Sequence, residues 1–328
     1  MIALGIEGTA HTFGVGIVED TTILANAKRM YAPPKGTGIH PALAAQHHQN
    51  AAAEVLETAI REAGVALDAI DVLAYAAGPG LPPCLKVTSD FAGALQQKTG
   101  KPLMAVNHCI AHIEIGRMLC GATDPIVMYV SGGNTQILGY SQERYRVFGE
   151  TQDIAIGNAI DTFMRHATGE FPGGPPFDKL AAEGTTYVEL PYIVKGMDLS
   201  FSGMLTAALR KHRQGASLAD VCYSMQETAF AMLTEVTERA LAHAGKNEVL
   251  VAGGVAASQR FNEMLRIMCS ERGASCFSVS ADYARDNGAM IAWTGLLAHR
   301  HGQQPVERAD FFSRWRTDEV EVLWFPER

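Results

Sequence analysis

Two stretches of this chain follow one plan: an apolar run reaches a polar, glycine-containing turn and returns as a second apolar run. They are Leu4-Gly-Ile-Glu-Gly-Thr-Ala-His-Thr-Phe-Gly-Val-Gly-Ile17 and Met128-Tyr-Val-Ser-Gly-Gly-Asn-Thr-Gln-Ile137. Each reads as a β-hairpin whose tip offers backbone N–H groups and small hydroxyls, suited to holding an anion. A third segment, Val249-Leu-Val-Ala-Gly-Gly-Val-Ala-Ala-Ser258, reads as a buried strand that runs into glycines and then a helix, a place where a ribose or a flat ring can lie against the backbone. One such motif alone is usually only a tight turn. Three in this order constrain the chain far more, and the two hairpins read as a duplicated unit facing itself across a cleft.

Strand-like and helix-like stretches alternate along the rest of the chain. Ile2–Ile6, Val15–Val18, Val72–Ala76, Ile126–Val130, Gln136–Gly139 and Val249–Ala252 read as strands, and Ala42–Glu62, Lys86–Gln97, His112–Leu119, Ala159–Arg165 and Tyr223–Ala244 as helices. The expected class is therefore α/β, with helices on the faces of sheets. The arrangement resembles the superfamily of actin, sugar kinases and heat-shock chaperone ATPases, whose fold is two related α/β lobes around a nucleotide cleft. Of the 328 residues 47% are apolar and 19% charged, which excludes disordered and collagen-like classes, and 32 glycines fit a chain of tight turns and close backbone approaches. The formal charge of −8 provides no overall basic field for nucleic acid. No apolar run of about 18 residues suggests a membrane span, and the N-terminus reads as a strand without a basic leader region. The six cysteines form no Cys-x-x-Cys pair, so a reduced, cytoplasmic protein without a cysteine-built zinc site is expected.

Asn107-His-Cys-Ile-Ala-His112 places His108 and His112 four residues apart, on one face of a helical turn. Two imidazoles so placed can chelate one divalent ion; equally, each can be satisfied by ordinary hydrogen bonds. A zinc peptidase needs Glu after the first histidine, and this chain has Cys109 there. Tyr129, leading into the second hairpin, and Asp286, in Asp286-Asn-Gly288 at an expected strand-to-helix turn, are candidates to complete a site. Asp-Asn-Gly has an alternative reading as helix-capping chemistry. His40, His47 and His48 could line the cleft or simply pack.

Several motifs together are similar to one family. His108-x-x-x-His112, Tyr129-Val-Ser-Gly-Gly-Asn-Thr135, Gly149-Glu-Thr-Gln-Asp-Ile-Ala-Ile-Gly-Asn158, Pro172-Gly-Gly-Pro175, Asp198-Leu-Ser-Phe-Ser-Gly203, Gly253-Gly-Val-Ala256 and Asp286-Asn-Gly288 occur in its order, from about Ile2 to Trp324. The chain thereby resembles the tRNA N6-adenosine threonylcarbamoyltransferases, long labelled O-sialoglycoprotein endopeptidases, in their archaeal and eukaryotic branch. The resemblance implies transfer of a threonylcarbamoyl group from threonylcarbamoyl-AMP to N6 of the adenosine beside the anticodon in ANN-decoding tRNAs. It implies one divalent metal, iron or zinc, on His108, His112, Tyr129 and Asp286, and a bound adenine nucleotide. Tyr129, Val130, Ser131, Gly132 and Gly133 would meet the phosphate and the donor, and Asp161 and Asp178 the ribose or adjacent groups. Gly174 would let the ligand pass near the backbone, Gly253 and Gly254 would carry the adenosine, and Asn262 would touch its base. Asp178 stands where the family usually has Glu, one methylene longer, so a longer or water-bridged contact is expected there. Thr162 stands where bacterial members commonly have Lys.

The expected division is a first lobe at 1–124 completed by 286–328, and a second lobe at 125–285. Implied partners are tRNA and the subunits of the KEOPS assembly: a small RIO-like kinase, a dimerising small subunit and a kinase regulator. The apolar helices of the first lobe are the expected docking face. Some archaeal relatives carry the kinase on the same chain. Basic candidates for RNA contact are Arg210-Lys-His-Arg213 and Arg314-Trp-Arg316, each also readable as a solvated charged face. Two rival readings are a small-molecule kinase of the same superfamily, which leaves the paired histidines without a role, and a non-catalytic nucleotide-binding scaffold, which needs only the glycine loops.

Overall fold

The computed structural model describes residues 1–325. The chain begins with β1 (Ile2–Glu7), β2 (Thr12–Glu19), β3 (Thr22–Met30), α1 (Pro41–Ala63), β4 (Val72–Gly78), α2 (Pro82–Thr99), β5 (Leu103–Asn107) and α3 (His108–Cys120). Next come β6 (Ile126–Val130), β7 (Thr135–Ser141), β8 (Arg144–Glu150), α4 (Ile156–Ala167), α5 (Gly174–Glu183), the short β9 (Val194–Lys195) and β10 (Asp198–Leu199), α6 (Ser202–Arg213) and α7 (Leu218–Ala244). The chain continues with β11 (Glu248–Ala252), α8 (Gln259–Glu271), β12 (Ser275–Ser278), α9 (Ala281–Ala284) and α10 (Gly288–Arg300).

Two five-stranded sheets share one topology. The first has the order β3-β2-β1-β4-β5 and the second β12-β11-β6-β7-β8. In both, a hairpin and a third strand pair antiparallel, and two later strands add in parallel beside the first strand of the hairpin. The duplicated unit expected from the two hairpins is thus present, and the fold is two related α/β lobes.

Alternation along the first sheet decides what each face covers. Leu4, Ile6, Leu73 and Tyr75 point into a core shared with α1 and α2, whereas Ala3, Val18, Val72, Ala74 and Ala76 join the larger core that runs into the second lobe. The helices that follow the two sheets exchange places. α3 follows β5 yet packs on β11, β6 and β12, while α10 follows the second sheet and lies across β1, β2, β4 and β5. Gly5 and Gly16, opposite each other in the β1–β2 ladder, make that crossing possible. A Cβ on Gly5 would sit 2.0 Å from the Ala292 nitrogen, and one on Gly16 would sit 2.1 Å from the Ala289 nitrogen.

Segment 286–328 divides its packing. α10 covers the first sheet, but Val322 and Phe325 pack on the second lobe: the Val322 N–H donates 2.8 Å to the Glu143 carbonyl, and Phe325 stacks on Tyr140 with ring centroids 3.7 Å apart. The part of that expected segment beyond Phe325 lies outside the described residues. The expected strand-to-helix turn at Asp286 is instead a turn between two helices, because α9 intervenes after β12. No helix among the described residues is long and apolar enough to cross a membrane.

Candidate metal and ligand site

The crossed helices begin at the same place. The Asn107 side chain accepts from the N–H groups of Cys109 and Ile110, capping α3, and Asn287 accepts from the Met290 N–H, capping α10. With these asparagines serving as caps, the residues beside them, His108 and Asp286, are free to face one another. Asn287 is thus the cap in Asp-Asn-Gly, and Asp286 is left beside His108 and His112.

Ligand atoms of His108, His112 and Asp286 all lie within 4.8 Å of one another. Asp286 Oδ1 is 3.2 Å from His112 Nε2 and 3.5 Å from His108 Nε2. The other nitrogen of His108, Nδ1, lies 2.9 Å from Glu7 Oε2. Glu7 is fully buried at the end of β1, and its other oxygen accepts from the N–H and the hydroxyl of Thr9, at 2.8 and 2.6 Å. A carboxylate on Nδ1 turns Nε2 of His108 towards the site and makes it a better donor. Tyr129, also fully buried, has a hydroxyl with no hydrogen-bond partner, and its ring centroid lies 5.6 Å from that of His112, whose Nδ1 is likewise unpartnered.

The electrostatics tie the three groups together. Burial opposes a charged His108, but the field and hydrogen bond of Glu7, with Asp286, outweigh it and raise its pKa to about 9. Burial lowers that of His112, with the charge of His108 adding to the effect against Asp286. Burial would raise Asp286, yet the hydrogen bond with His112 and the two imidazoles hold its carboxyl well below the usual range. Burial keeps the Tyr129 phenol and the Cys109 thiol protonated, Cys109 pushed up to about 11. Two imidazoles, one carboxylate and an unpartnered phenol form a nitrogen-and-oxygen donor set that fits a borderline divalent ion. A bound cation would take the place of the His108 proton.

The second hairpin stands beside this cluster. Ser131 closes its tip: the Ser131 N–H donates 2.8 Å to the Asn134 carbonyl, and its Oγ accepts from the N–H groups of Gly133 and Asn134. A Cβ on Gly132 or Gly133 would meet nothing within 4 Å, so the tip opens onto free space. α4 begins against this tip without a side-chain cap of its own; a Cβ on Gly157 would lie 2.5 Å from the Ser131 carbonyl oxygen. The Ile156 N–H that opens α4 donates 3.0 Å to the Thr135 hydroxyl, and the exposed tip glycines beside this helix start suit a phosphate. Val130 is buried, and its carbonyl is approached by Gly253, whose φ of 92° only glycine adopts readily. Gly254 is exposed and open above.

The remaining expected residues fall into two hydrogen-bonded groups. Asp161 accepts 2.7 Å from the Gly173 N–H, and Gly174 beside it opens onto free space. Asp178 accepts from Gln226 at 2.8 Å and Ser258 at 3.3 Å, and burial raises the pKa of both aspartates. The Asn262 amide donates to the carbonyls of Ala256 and Ser258, which holds the turn after Gly254 and leaves its Oδ1 buried and unpartnered.

The first hairpin differs from expectation. Its Thr9 donors go to Glu7, so this tip supports His108 rather than presenting those groups to an anion. Glu7 and Thr9, with Gln226 and Ser258, were not expected; the available signal for Glu7 was a charged residue ending an otherwise apolar strand. His48 is fully buried against Phe13, His47 packs on Tyr31, and His40 is exposed ahead of α1; none belongs to the cluster.

Residues 22–293 match the family described as TsaD, tRNA N6-adenosine threonylcarbamoyltransferase. A tRNA N6-adenosine threonylcarbamoyltransferase of Thermococcus kodakarensis is 55% identical over 326 residues, covering 99% of this chain and all of its own. Among solved structures, T. kodakarensis HypF superposes with a TM-score of 0.61 at 14% identity, over 90% of this chain and 47% of that one. A ROK family glucokinase from Streptomyces griseus superposes with a TM-score of 0.51 at 14% identity, over 92% of this chain and all of the kinase. These structural likenesses place the fold with the sugar kinases.

Proposed function

The chain belongs to the tRNA N6-adenosine threonylcarbamoyltransferase family, and from that premise we propose how its residues divide the work. The enzyme transfers a threonylcarbamoyl group to N6 of adenosine in tRNA; the donor in this reading is threonylcarbamoyl-AMP and the acceptor the adenosine beside the anticodon of ANN-decoding tRNAs. The observation that carries the reading is the cluster of His108, His112 and Asp286 with the unpartnered Tyr129 hydroxyl, beside an open glycine tip. These four residues would hold one divalent ion, iron or zinc, which when bound would polarise the donor's carbonyl and anchor its threonyl oxygens.

The donor is a mixed anhydride and already activated, so positioning and charge stabilisation are the main demands on the protein. Gly132 brings its backbone N–H to the phosphate, with the α4 start behind it, and Gly133, whose N–H already donates to Ser131 Oγ, keeps the tip open. Asp161 and Asp178 face the ribose and its surroundings, Gly174 lets the ligand pass, and Gly253 and Gly254 lie against the adenosine. The unpartnered Asn262 oxygen is an acceptor held ready for a donor group on the base. The acceptor N6 forms a bond to the carbamoyl carbon, the carbon–oxygen bond to the phosphate breaks, AMP leaves with that electron pair, and N6 gives up one proton to water.

The two bodies between which donor and tRNA meet are 1–124 completed by α10, and 125–285, with the tail at Val322 and Phe325 resting on the second body. Partner subunits of the KEOPS kind would dock on α1 and α2, where Leu43 is exposed, in a cytoplasmic setting. The test supplies threonylcarbamoyl-AMP, tRNA and those subunits. Modified adenosine and AMP should appear in equal amounts and only with tRNA present. ATP turnover without tRNA, and no modification, would replace this reading with the kinase one.

A further inference from the structure

The tRNA must leave most of its length outside the cleft, and an acidic protein needs a confined basic strip to hold it. One such strip stands out where three segments meet. α4 and α6 pack together near their C-terminal ends, with Phe163 and His212 ring centroids 6.4 Å apart. Arg165 and His166 close α4, and Arg210, Lys211 and Arg213 close α6. The loop of the first lobe reaches the same place. The Gly36 N–H donates 2.9 Å to the Gly169 carbonyl, a Cβ on Gly169 would lie 3.5 Å from Lys35 Cε, and one on Gly38 would lie 2.6 Å from an Arg165 nitrogen.

None of Lys35, Arg165, Arg210, Lys211 and Arg213 forms an ion pair among the described residues, whereas Arg29, Lys86, Arg239, Arg260 and Arg272 do. Two acidic groups stand at its edge, Glu170 beside Gly169 and Asp161 one turn before Arg165, whose charge it feels; neither forms an ion pair with the five cations. Balancing the end of α6 needs about half a charge, and three cations exceed that. The strip also leads somewhere. Two residues beyond Gly169, Phe171 meets His11 of the first hairpin, ring centroids 6.5 Å apart, and Gly173 follows with its N–H on Asp161. The cations therefore begin at the mouth of the cleft and run outward along the second lobe.

Resting on the transferase reading above, we propose that Lys35, Arg165, Arg210, Lys211 and Arg213 form the track for the tRNA phosphate backbone, which delivers the acceptor adenosine past His11 and Phe171 into the cleft. RNA fits better than an acidic protein, because the cations are spread over three segments and lead to the place where a base must enter. Each contact made to a phosphate releases counterions, so the track sets the salt dependence of binding.

The test measures tRNA binding by the full chain from 50 to 300 mM salt, for wild type and for Arg210→Ala/Lys211→Ala/Arg213→Ala, with concentrations in this range chosen to resolve the slope. The slope of log affinity against log salt should become shallower by about 2, and affinity should fall about 100-fold near 0.1 M salt. Arg210→Lys/Arg213→Lys should keep the wild-type slope, and AMP should raise the melting temperature of all three proteins equally, showing an intact fold and cleft. An unchanged slope in the alanine variant, or loss instead of binding to an acidic partner subunit, overturns the track. Wild type that modifies tRNA while the slope is unaffected refutes the track alone; slope-dependent binding without any modification refutes the transferase reading alone.

Discussion

At the scale of single residues, the buried groups without partners say most. The Tyr129 hydroxyl is enclosed, with Ser131 and Cys109 close by but no partner at hydrogen-bonding geometry, at a cost of up to roughly 1–3 kcal/mol. If that cost is kept for a metal, Tyr129→Phe should bind the ion at least about 10-fold more weakly, by titration, while the metal-free variant melts no lower than wild type. Equal metal affinity with a lower melting temperature would make the hydroxyl structural. His48 gives a second test. Burial is the main cause lowering its pKa to about 4, against roughly 6.5 in an unfolded chain. The folded state thus binds fewer protons between those values, and stability is lost as pH falls from about 6.5 to 4. At pH 5 the loss should reach about 2 kcal/mol, and His48→Leu should flatten that limb in denaturant midpoints taken across pH. A variant with the wild-type limb would assign acid sensitivity elsewhere.

At the scale of elements, glycines of one residue type do opposite things. Gly16 meets the backbone of α10, so Gly16→Ala should destabilise by the upper end of about 1–3 kcal/mol, measured by chemical denaturation. Gly132 faces open space, so Gly132→Ala should leave the midpoint unchanged and weaken AMP binding; the reverse pattern would misplace the phosphate. Which elements are legible in sequence follows the same physics. β1, β2, β4, β6, β7 and β11 are apolar runs bounded by turns, and each is found where expected, β6 with the expected ends and the others longer at one or both ends. α10 is not legible: Gly-Ala-Met-Ile-Ala-Trp-Thr-Gly-Leu-Leu is apolar all round because the first sheet covers one side and α3 another, which erases the periodicity of a surface helix. β8 is hidden for the opposite reason, since Arg144, Arg146 and Glu150 on an edge strand read as loop. Of the site, the His108–His112 spacing is local and visible, whereas the contribution of Glu7 exists only once β1 and α3 are brought side by side.

At the scale of the molecule, the exchange of α3 and α10 between lobes puts the start of each helix at one point. Glu7 and His108 come from the first repeat, Asp286 from the second, and Tyr129 from the strand that opens the second sheet. Any ligand bound there touches both repeats, which is how a site for transfer between a nucleotide-linked donor and a large acceptor can sit at the seam. The tail adds a tie: the Arg117 guanidinium of α3 lies 3.7 Å over the Phe325 ring, while Tyr145 and Arg117 both bond Glu114. The whole reading stands on the cluster at the seam holding an ion. Metal content of the protein purified without oxygen, compared with His108→Ala/His112→Ala, tests that directly. About one equivalent of iron or zinc in wild type and none in the variant is the expected result; no metal in either protein, or the same amount in both, would contradict it.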